Sequence, residues 1–523
     1  MVCKRHTEIP HTSRLFADLL YHFDRVSEFY PNAPFDPHAF RNAAAAIDYP
    51  DERRARLVAL LREQNGESET LQLLAKSGTN VVVTGQQVGL FSGPAYTLYK
   101  ALTAVRLART LTEAGSPTVP IFWLATEDHD LDEVSTCWSF TPTHEPVHLR
   151  VDHPRGSDLP VGGIPIEAPP VEALAQSLRG FPFGDEVTEL VREAYIPGRS
   201  YGEAFAHLLR KLTAPYGLLF FDPMNSGARA LAGEFLVKAV DAAPDLTRLL
   251  LERNRRLNDG GYHAQVHIEA HTSLFFLIDN GHRLALRQRN GEYAAKDRRF
   301  SPQELKDRAA SLSPNAALRP VVQDYMMPTV AYIGGPAELA YLAQSAVIYK
   351  ELLGRMPVSV PRNAFSLIDE RSRKLLDRYS LDLDAFFGGE EPLRERMAAT
   401  LTPPDVQAHF RQVSAATQVH LESLIARLQA FDGSLSAAMR KSAAKIEYQL
   451  GKMQKKAARE ALRRDTRAQA DAAYLFNGIY PHKHLQERFY TILPFLARHG
   501  LDLTERLYDS VHTDCPDHHI LFL

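Results

Sequence analysis

The sequence predicts an α/β protein with a doubly wound parallel sheet, followed by a long helical segment. Two observations carry this. Over the first 374 residues, short apolar bursts ending in small or acidic residues alternate with helical stretches. From residue 375 onward, apolar residues recur in steps of three and four for about six or seven heptads, the pattern of a coiled coil or long helical hairpin.

The bursts lie at 80–84, 119–126, 217–222 and 329–335. The first is β-branched and bounded by glycine, as a strand buried on both faces requires. The stretch 139–204 is rich in Pro, Gly and His, unlike a simple crossover helix. Residues 261–313 contain strand-like pieces at 273–278 and 283–287, with turn signals at Asn280-Gly281 and Asn290-Gly291. Both regions read as insertions into the sheet. The expected organisation is therefore N-terminal helices and the first half of the core over 1–138, and a first connective insertion over 139–204. The core continues over 205–260, a second insertion spans 261–313, and the second half of the core covers 314–374. A helical coiled-coil domain with a C-terminal segment fills 375–523. The charge-rich run 51–63 is expected on a solvated helix face.

Composition narrows the class. Of 523 residues, 45% are hydrophobic and 24% charged, which supports a sizeable core and excludes disordered, collagen-like and low-complexity chains. Sixty basic and 63 acidic side chains leave a net charge of −3, which argues against a general nucleic-acid binder. No stretch approaches the ~18 continuous apolar residues of a membrane helix, and no apolar signal region opens the chain. The expected location is the cytoplasm. Cys3, Cys137 and Cys515 are too few and too scattered for a disulfide framework or a thiolate zinc site, so no metal is predicted.

In the helical segment, Phe410, Val413, Thr417, Leu421, Leu424, Leu428, Phe431 and Leu435 form one apolar series. Met439, Ala443, Ile446, Leu450, Met453 and Ala457 continue it after a phase shift. Asp432-Gly433 is the natural break between two helices. The series is either a seam or the buried face of helices packed on their own core. Residues 440–467 are strongly basic, which reads as a solvated face or as an anion or nucleotide site between chains.

Three constellations carry chemistry. In the first, glycines at 85, 89 and 93 occupy a strand-to-helix connection, where Ser92 or Gly93 caps the helix and Pro94 opens it. Free N–H groups there would bind an anion. The spacing matches neither the dinucleotide fingerprint nor the P-loop. Its candidate binding residues are Thr84, Gly85, Gln86, Gln87, Ser92, Gly93 and Tyr96. The second places Glu127, Asp128, His129 and Asp130 directly after an apolar strand, where α/β sheets hold their ligands. Alternation puts Asp128 and Asp130 on one side and His129 on the other. The third combines Arg319, Gln323 and Asp324 with Gly334 and Gly335 before Pro336, a second glycine-proline helix start. Arg319 suits a carboxylate or phosphate, while Gln323 and Asp324 suit hydroxyl or amine groups. His482, His484, His518 and His519 read as incidental.

Together these constellations resemble the family of the bacillithiol-biosynthesis cysteine-adding enzyme. The resemblance rests on Thr84-Gly85-Gln86-Gln87 with Gly89-Leu90, on Ser92-Gly93-Pro94 with Tyr96-Thr97, and on Phe122-Trp123 with Glu127-Asp128-His129-Asp130. It rests further on Arg319-Pro320, Gln323-Asp324, Pro328-Thr329, Tyr332-Ile333-Gly334-Gly335-Pro336 and Glu338, and on Pro361-Arg362. Asp369 stands where the family leads one to expect glutamate. The resemblance implies a Rossmann-like core related to class I nucleotidyltransferases, two connective insertions, and a C-terminal α-helical coiled coil supporting a homodimer. It also implies the last step in making this low-molecular-weight thiol, the joining of cysteine to the amino group of glucosaminyl malate. No H-I-G-H or K-M-S-K-S element is present, so adenylation of cysteine does not follow from the fold.

A ligase of this kind must activate a carboxylate, with ATP/ADP the expected nucleotide and an acyl-adenylate or acyl-phosphate the activated form. Glu127, Asp128, His129 or Asp130 would position the amine or take its proton, and Arg319 would hold a carboxylate. Two rival readings stand beside it: a metal-dependent glycosyltransferase using Asp128-His129-Asp130, and a non-catalytic coiled-coil assembly protein.

Overall fold

In a computed structural model, which describes residues 2–153, 158–289, 291–296 and 298–523, five parallel strands form the central sheet. They are β1 (Asn80–Gln86), β2 (Thr118–Leu124), β3 (Leu219–Phe221), β4 (Thr329–Gly334) and β5 (Val358–Pro361). Their spatial order is β5-β4-β1-β2-β3, and every pairing is parallel. The order reverses between β1 and β4, a Rossmann-like switch point. Four of these strands match the apolar bursts. The fifth was not anticipated, because Val358-Ser359-Val360 is too short to stand out.

The β-branched run of β1 explains its central place. Val81 and Val83 point into one apolar cluster and Val82 into the other, so the strand is buried on both faces. Helix α1 (Tyr96–Glu113) covers the second face through Ala104, Leu107 and Leu111. Helix α2 (Ser226–Asp259) packs on the first face through Leu231, Phe235 and Leu246. Helix α3 (Pro336–Leu352) follows β4.

Two segments, one before β3 and one before β4, interrupt the strand–helix alternation of the central sheet. The first contains the antiparallel pair Thr136–Phe140 and Pro146–Arg150, then the helices Val171–Leu178, Gly184–Ala194 and Tyr201–Thr213. The second is a five-stranded antiparallel sheet whose longest strands are Thr272–Asp279 and His282–Arg289. They are joined through Asn280 and Gly281, both at positive φ (50° and 82°), as a two-residue hairpin demands. Asn290 of the second turn signal lies outside the described residues. The run 51–63 is helical, within Asp51–Asn65, but its face is not wholly solvated. Arg54 is buried and donates to the Leu74 and Thr79 carbonyls at 3.1 and 2.9 Å.

The chain divides into two compact units. The first comprises Met1–Pro142, Pro146–Ser366 and Glu487–Ile520. The segment Glu487–Ile520 thus packs with the first unit, for a clear reason. Glu487 is buried and takes both arms of the Arg362 guanidinium at 2.9 and 2.6 Å, together with the Phe365 N–H at 3.0 Å. Phe489 stacks on Trp138 at 4.8 Å. Val2–Lys4 pairs antiparallel with the last strand, Cys3 opposite His519. That pairing also revises the reading of the cysteines, since Cys3, Cys515 and His519 bring their ligand atoms within 4.8 Å of one another. His518 takes a structural place in the same ribbon. It is buried, with Nε2 at 2.9 Å from the Ser366 hydroxyl.

The second unit comprises Thr143–Glu145, Leu367–Gln486 and Leu521–Leu523. Asp369 serves as the N-cap of Glu370–Tyr379, accepting the Ser372 N–H at 2.6 Å. It also accepts the Tyr474 hydroxyl at 2.8 Å and lies 3.2 Å from His144 Nε2. Helices α4 (Pro404–Phe431) and α5 (Gly433–Arg464) form a hairpin broken at Asp432. The Asp432 carboxylate caps α5 through Ser434 and Leu435 N–H groups at 2.7 and 3.1 Å. Val413, Leu424, Phe431, Leu435, Ile446 and Met453 remain exposed, Phe431 at 82%. The apolar series is therefore not consumed by the hairpin's own core. In the basic half, Arg459 pairs with Glu395, and Arg463 and Arg464 share Glu460.

Candidate active site

A cleft of about 640 Å³ opens at the carboxyl ends of β1, β2 and β4, within the rough size range of small-molecule sites. It lies at the switch point between β1 and β4, where the diverging crossovers leave a crevice.

The β1 wall is Gly85, Gln86 and Gln87. Gly85 passes so close to β2 that a Cβ would sit 2.8 Å from the Trp123 carbonyl oxygen. Beneath this loop, the buried Lys100 ammonium donates to the Gly85 carbonyl at 2.9 Å, to Gln86 Oε1 at 2.8 Å, and to Glu338. Glu338 also accepts the Gly335 N–H and the Tyr332 hydroxyl, each at 2.8 Å. Burial opposes the charge on Glu338, yet Lys100 and these donors outweigh it and hold its carboxyl below the ordinary carboxylate range. Burial pushes the Lys100 ammonium down, with Glu338 opposing. The pair locks the β1 loop to the start of α3. Sequence reasoning missed both residues, although Lys100 closes the first glycine-rich helix start and Glu338 the second.

Arg319 reaches the cleft from helix Arg319–Met326. Its guanidinium donates to Gln323 Oε1 at 3.1 Å and to the Tyr332 and Tyr341 hydroxyls at 3.3 and 2.8 Å. All three partners are neutral, so its charge remains available to an anion. Arg488 also lines the cleft, about 5.8 Å over the Tyr96 ring, and has no carboxylate within ion-pair distance among the described residues. Tyr96 accepts from Gln86 Nε2 at 3.3 Å and lies under Arg362 at 5.0 Å.

Opposite stands the acidic group after β2. Glu127 pairs with Arg229 at 3.1 Å and accepts the Ser313 hydroxyl at 2.9 Å. Burial nevertheless raises its carboxyl above the ordinary range. Asp128 accepts from Gln87 Nε2 at 2.6 Å and from the His129 N–H at 2.7 Å. His129 Nδ1 lies 2.9 Å from an Arg283 guanidinium nitrogen. A guanidinium can only donate, so Nδ1 accepts and the imidazole proton sits on Nε2. Arg283 comes from the second insertion, is anchored by Ser313 and the Pro314 carbonyl at 3.1 and 3.2 Å, and stacks on Phe276. It too was missed, because nothing in an isolated arginine on a strand points to a cleft.

The candidates therefore divide. Gly85, Gln86, Gln87, Tyr96, Glu127, Asp128, His129, Arg319 and Gly335 line the cleft. Asp130 does not; it is exposed and caps the short helix Leu131–Val134 through the Glu133 N–H at 3.0 Å. Thr84 ties β1 to the Ile333 carbonyl at 2.9 Å. Ser92 and Gly93 form a buried left-handed turn, at φ 70° and 66°. At the helix start behind them the Ala95 N–H is given to the Tyr490 carbonyl at 2.7 Å, so that donor is not free for an anion. Gln323 and Asp324 are buried behind Arg319, where Gln323 donates to Asp324 at 3.0 Å and Tyr349 donates to the same carboxylate. Gly334 holds β4 against Leu339 and Glu338, and its carbonyl accepts the Arg362 N–H at 2.9 Å.

Asp128 and Asp130 join no third histidine, cysteine or carboxylate at metal-ligand spacing among the described residues.

Fold and cleft together define a Rossmann-like protein with a switch-point site that sets uncompensated guanidinium groups opposite a carboxylate–imidazole cluster. The chain belongs to the bacillithiol biosynthesis BshC family. That family's N-terminal Rossmann-like domain matches residues 2–363 and its C-terminal coiled-coil domain residues 365–523. A protein of Solibacter usitatus named "Putative cysteine ligase BshC" is 54% identical over 519 residues, covering 99% of each chain. Proteins of the same name from Koribacter versatilis and Salinibacter ruber are 36% and 32% identical, covering 99% of each chain and 97% and 96% respectively.

Proposed function

We propose that this protein is a cysteine ligase of bacillithiol biosynthesis, joining the cysteine carboxyl to the amino group of glucosaminyl malate. The observation that carries the reading is Arg319, a guanidinium in the cleft whose hydrogen-bond partners are all neutral, facing Asp128 and His129. Glucosaminyl malate offers two carboxylates and one amine. Arg319 and Arg488 suit the carboxylates, because charge-assisted bonds to guanidinium fix both position and orientation. The amine enters protonated and must become neutral to attack. Asp128 is the half-exposed carboxylate that receives its proton, oriented by Gln87 and the His129 N–H. His129, with its proton on Nε2, donates toward the carbonyl oxygen on which charge develops. Glu127 is occupied by Arg229 and Ser313 and holds the cluster in place.

Amide formation also requires a leaving group on the carboxyl carbon. ATP is the proposed activator: the carboxylate takes either its γ-phosphoryl group, releasing ADP, or its adenylyl group, releasing pyrophosphate, and phosphate or AMP then leaves as the amine attacks. The protein is proposed to act in the cytoplasm as a homodimer built on α4 and α5. The exposed Leu424, Phe431, Leu435 and Ile446 support that reading, as does the absence among the described residues of any helix long and apolar enough to cross a membrane. The glycosyltransferase reading loses its basis with the separation of Asp130 from the cleft.

The test is mass spectrometry of purified protein incubated with ATP, cysteine and glucosaminyl malate. The expected product is bacillithiol, with nucleotide consumed in equal amount. No product, together with normal bacillithiol in a deletion strain, overturns the proposal. For the dimer, sedimentation of the Leu424→Glu/Phe431→Glu double variant should show a monomer.

A further inference from the structure

We propose that Cys3, Cys515 and His519 form a binding site for a thiophilic divalent cation of the zinc type, away from the catalytic cleft. The proposal stands independently of the ligase reading.

Cys3 lies in the strand Val2–Lys4 and faces His519 across the antiparallel pair, so the two side chains share one face of the ribbon. Cys515 arrives from the loop that precedes the last strand. The three ligand atoms lie within 4.8 Å of one another, and Cys3 Sγ is 3.5 Å from His519 Nδ1. Tetrahedral zinc, with Zn–S near 2.3 Å and Zn–N near 2.0–2.1 Å, places adjacent sulfur and nitrogen ligands about 3.5–3.6 Å apart. The spacing already matches a coordination edge.

The surroundings pre-organise the ligands. His519 is fully buried, its ring packed against Phe365 and His512 with centroids 5.4 Å away in each case. Its Nε2 has no hydrogen-bond partner among the described residues, and Nδ1 is the ring nitrogen turned toward the Cys3 thiol. The loop carrying Cys515 is pinned at both ends. Asn363 brackets the His512 backbone with bonds of 2.8 and 2.9 Å, and Tyr21 donates to Asp517 at 2.8 Å. A site whose ligands are held before the cation arrives loses little entropy on binding.

Chemically, binding replaces two thiol protons by one dication. Two thiolates and a neutral imidazole leave the centre uncharged, with two protons released. Three protein ligands leave a fourth position, and because Cys3 is exposed that position faces solvent and takes water or an exogenous thiolate. The cation would clamp the first strand of the unit to its last.

The experiment uses the full-length protein, reduced and handled without oxygen. Titration with Co²⁺ should give one equivalent of tetrahedral cobalt, with thiolate-to-cobalt charge-transfer absorption in the near ultraviolet. Zn²⁺ should discharge that band. The Cys3→Ser/Cys515→Ser double variant, checked by circular dichroism to be folded, should lose the band and bind at least about 100-fold more weakly. His519→Ala, a second variant, should shift the spectrum or weaken binding about 10- to 100-fold. Absence of the band in folded wild type, or its persistence in the double variant, overturns the proposal. So does a wild-type protein that forms a Cys3–Cys515 disulfide in air and takes up no cation when reduced.

Discussion

At the scale of single residues, the cleft separates charges that are already satisfied from charges that await a ligand. Arg362 is spent on Glu487, and Lys100 on Glu338, whereas Arg319 meets only hydroxyl and amide oxygens. Arg319→Gln should therefore lower kcat/KM about 10- to 100-fold, the loss expected for one charge-assisted hydrogen bond. Steady-state kinetics with glucosaminyl malate as the varied substrate should show the loss mostly in KM. The two aspartates after β2 should behave oppositely. Asp128→Asn removes the proposed proton acceptor and should cost about 10²–10⁴ in kcat. Asp130→Asn keeps a good helix cap and should stay within a few-fold of wild type.

Lys100 provides a stability test with a definite sign. In the native protein Glu338 titrates below its ordinary 4.5. Its contribution is therefore present above that value and lost as the pH falls through the folded one. In Lys100→Met the carboxylate is left buried without its cation, at a cost of about 3–5 kcal/mol. Burial then raises its folded value above the unfolded one, so the contribution of this group to stability should fall as pH rises above about 4.5. Urea denaturation at several pH values checks both the loss and the inverted slope, and adding Glu338→Gln should recover part of the loss.

At the scale of elements, the β1 loop is where local sequence and distant structure meet. Gly85→Ala places a methyl group at 2.8 Å from the Trp123 carbonyl and 3.0 Å from its Cβ. Neither neighbour is the end of a flexible side chain, so β1 and β2 must part. The expected result is a loss of about 1–3 kcal/mol by thermal denaturation, with activity reduced because Gln86 and Gln87 move with the backbone. The sequence foretold this loop, since three glycines around two glutamines after a β-branched strand have few purely structural uses. The hairpin break at Asp432-Gly433 was equally legible, because an aspartate before glycine caps the next helix. Other features were not. Ser92, Gly93 and Pro94 looked like an open anion site, yet the N–H behind them is given to the Tyr490 carbonyl, contributed from far along the chain. Gln323 and Asp324 looked like ligand-reading groups but turn inward, toward Arg319 and Tyr349. Arg283 sits on an insertion whose packing no local pattern encodes. For the helix start, for Asp324 and for Arg283, the decisive contact joins residues distant in sequence.

At the scale of the whole molecule, the boundary between the two matched family domains, at residues 363 and 365, is not a boundary of folding. The first unit is completed by Glu487–Ile520, and three contacts measure what that segment supplies. Glu487 neutralises the buried Arg362 through two charge-assisted bonds. The Tyr490 carbonyl accepts the Ala95 N–H at the start of α1. Residues 518–520 pair with Val2–Lys4. A fragment ending at residue 364 loses all three and leaves Arg362 without its carboxylate, which alone costs about 3–5 kcal/mol. That is a large part of the roughly 5–15 kcal/mol that holds a typical domain folded. The isolated Rossmann-like fragment should therefore lack a cooperative thermal transition, although every strand of its central sheet is intact. Supplying a peptide spanning 487–523 in trans should restore part of the transition by binding the folded form. The peptide carrying Glu487→Gln should restore far less, because a neutral amide leaves the Arg362 charge buried and unpaired. A cooperative melt of the 1–364 fragment at the wild-type temperature would show instead that the returning segment only decorates the core.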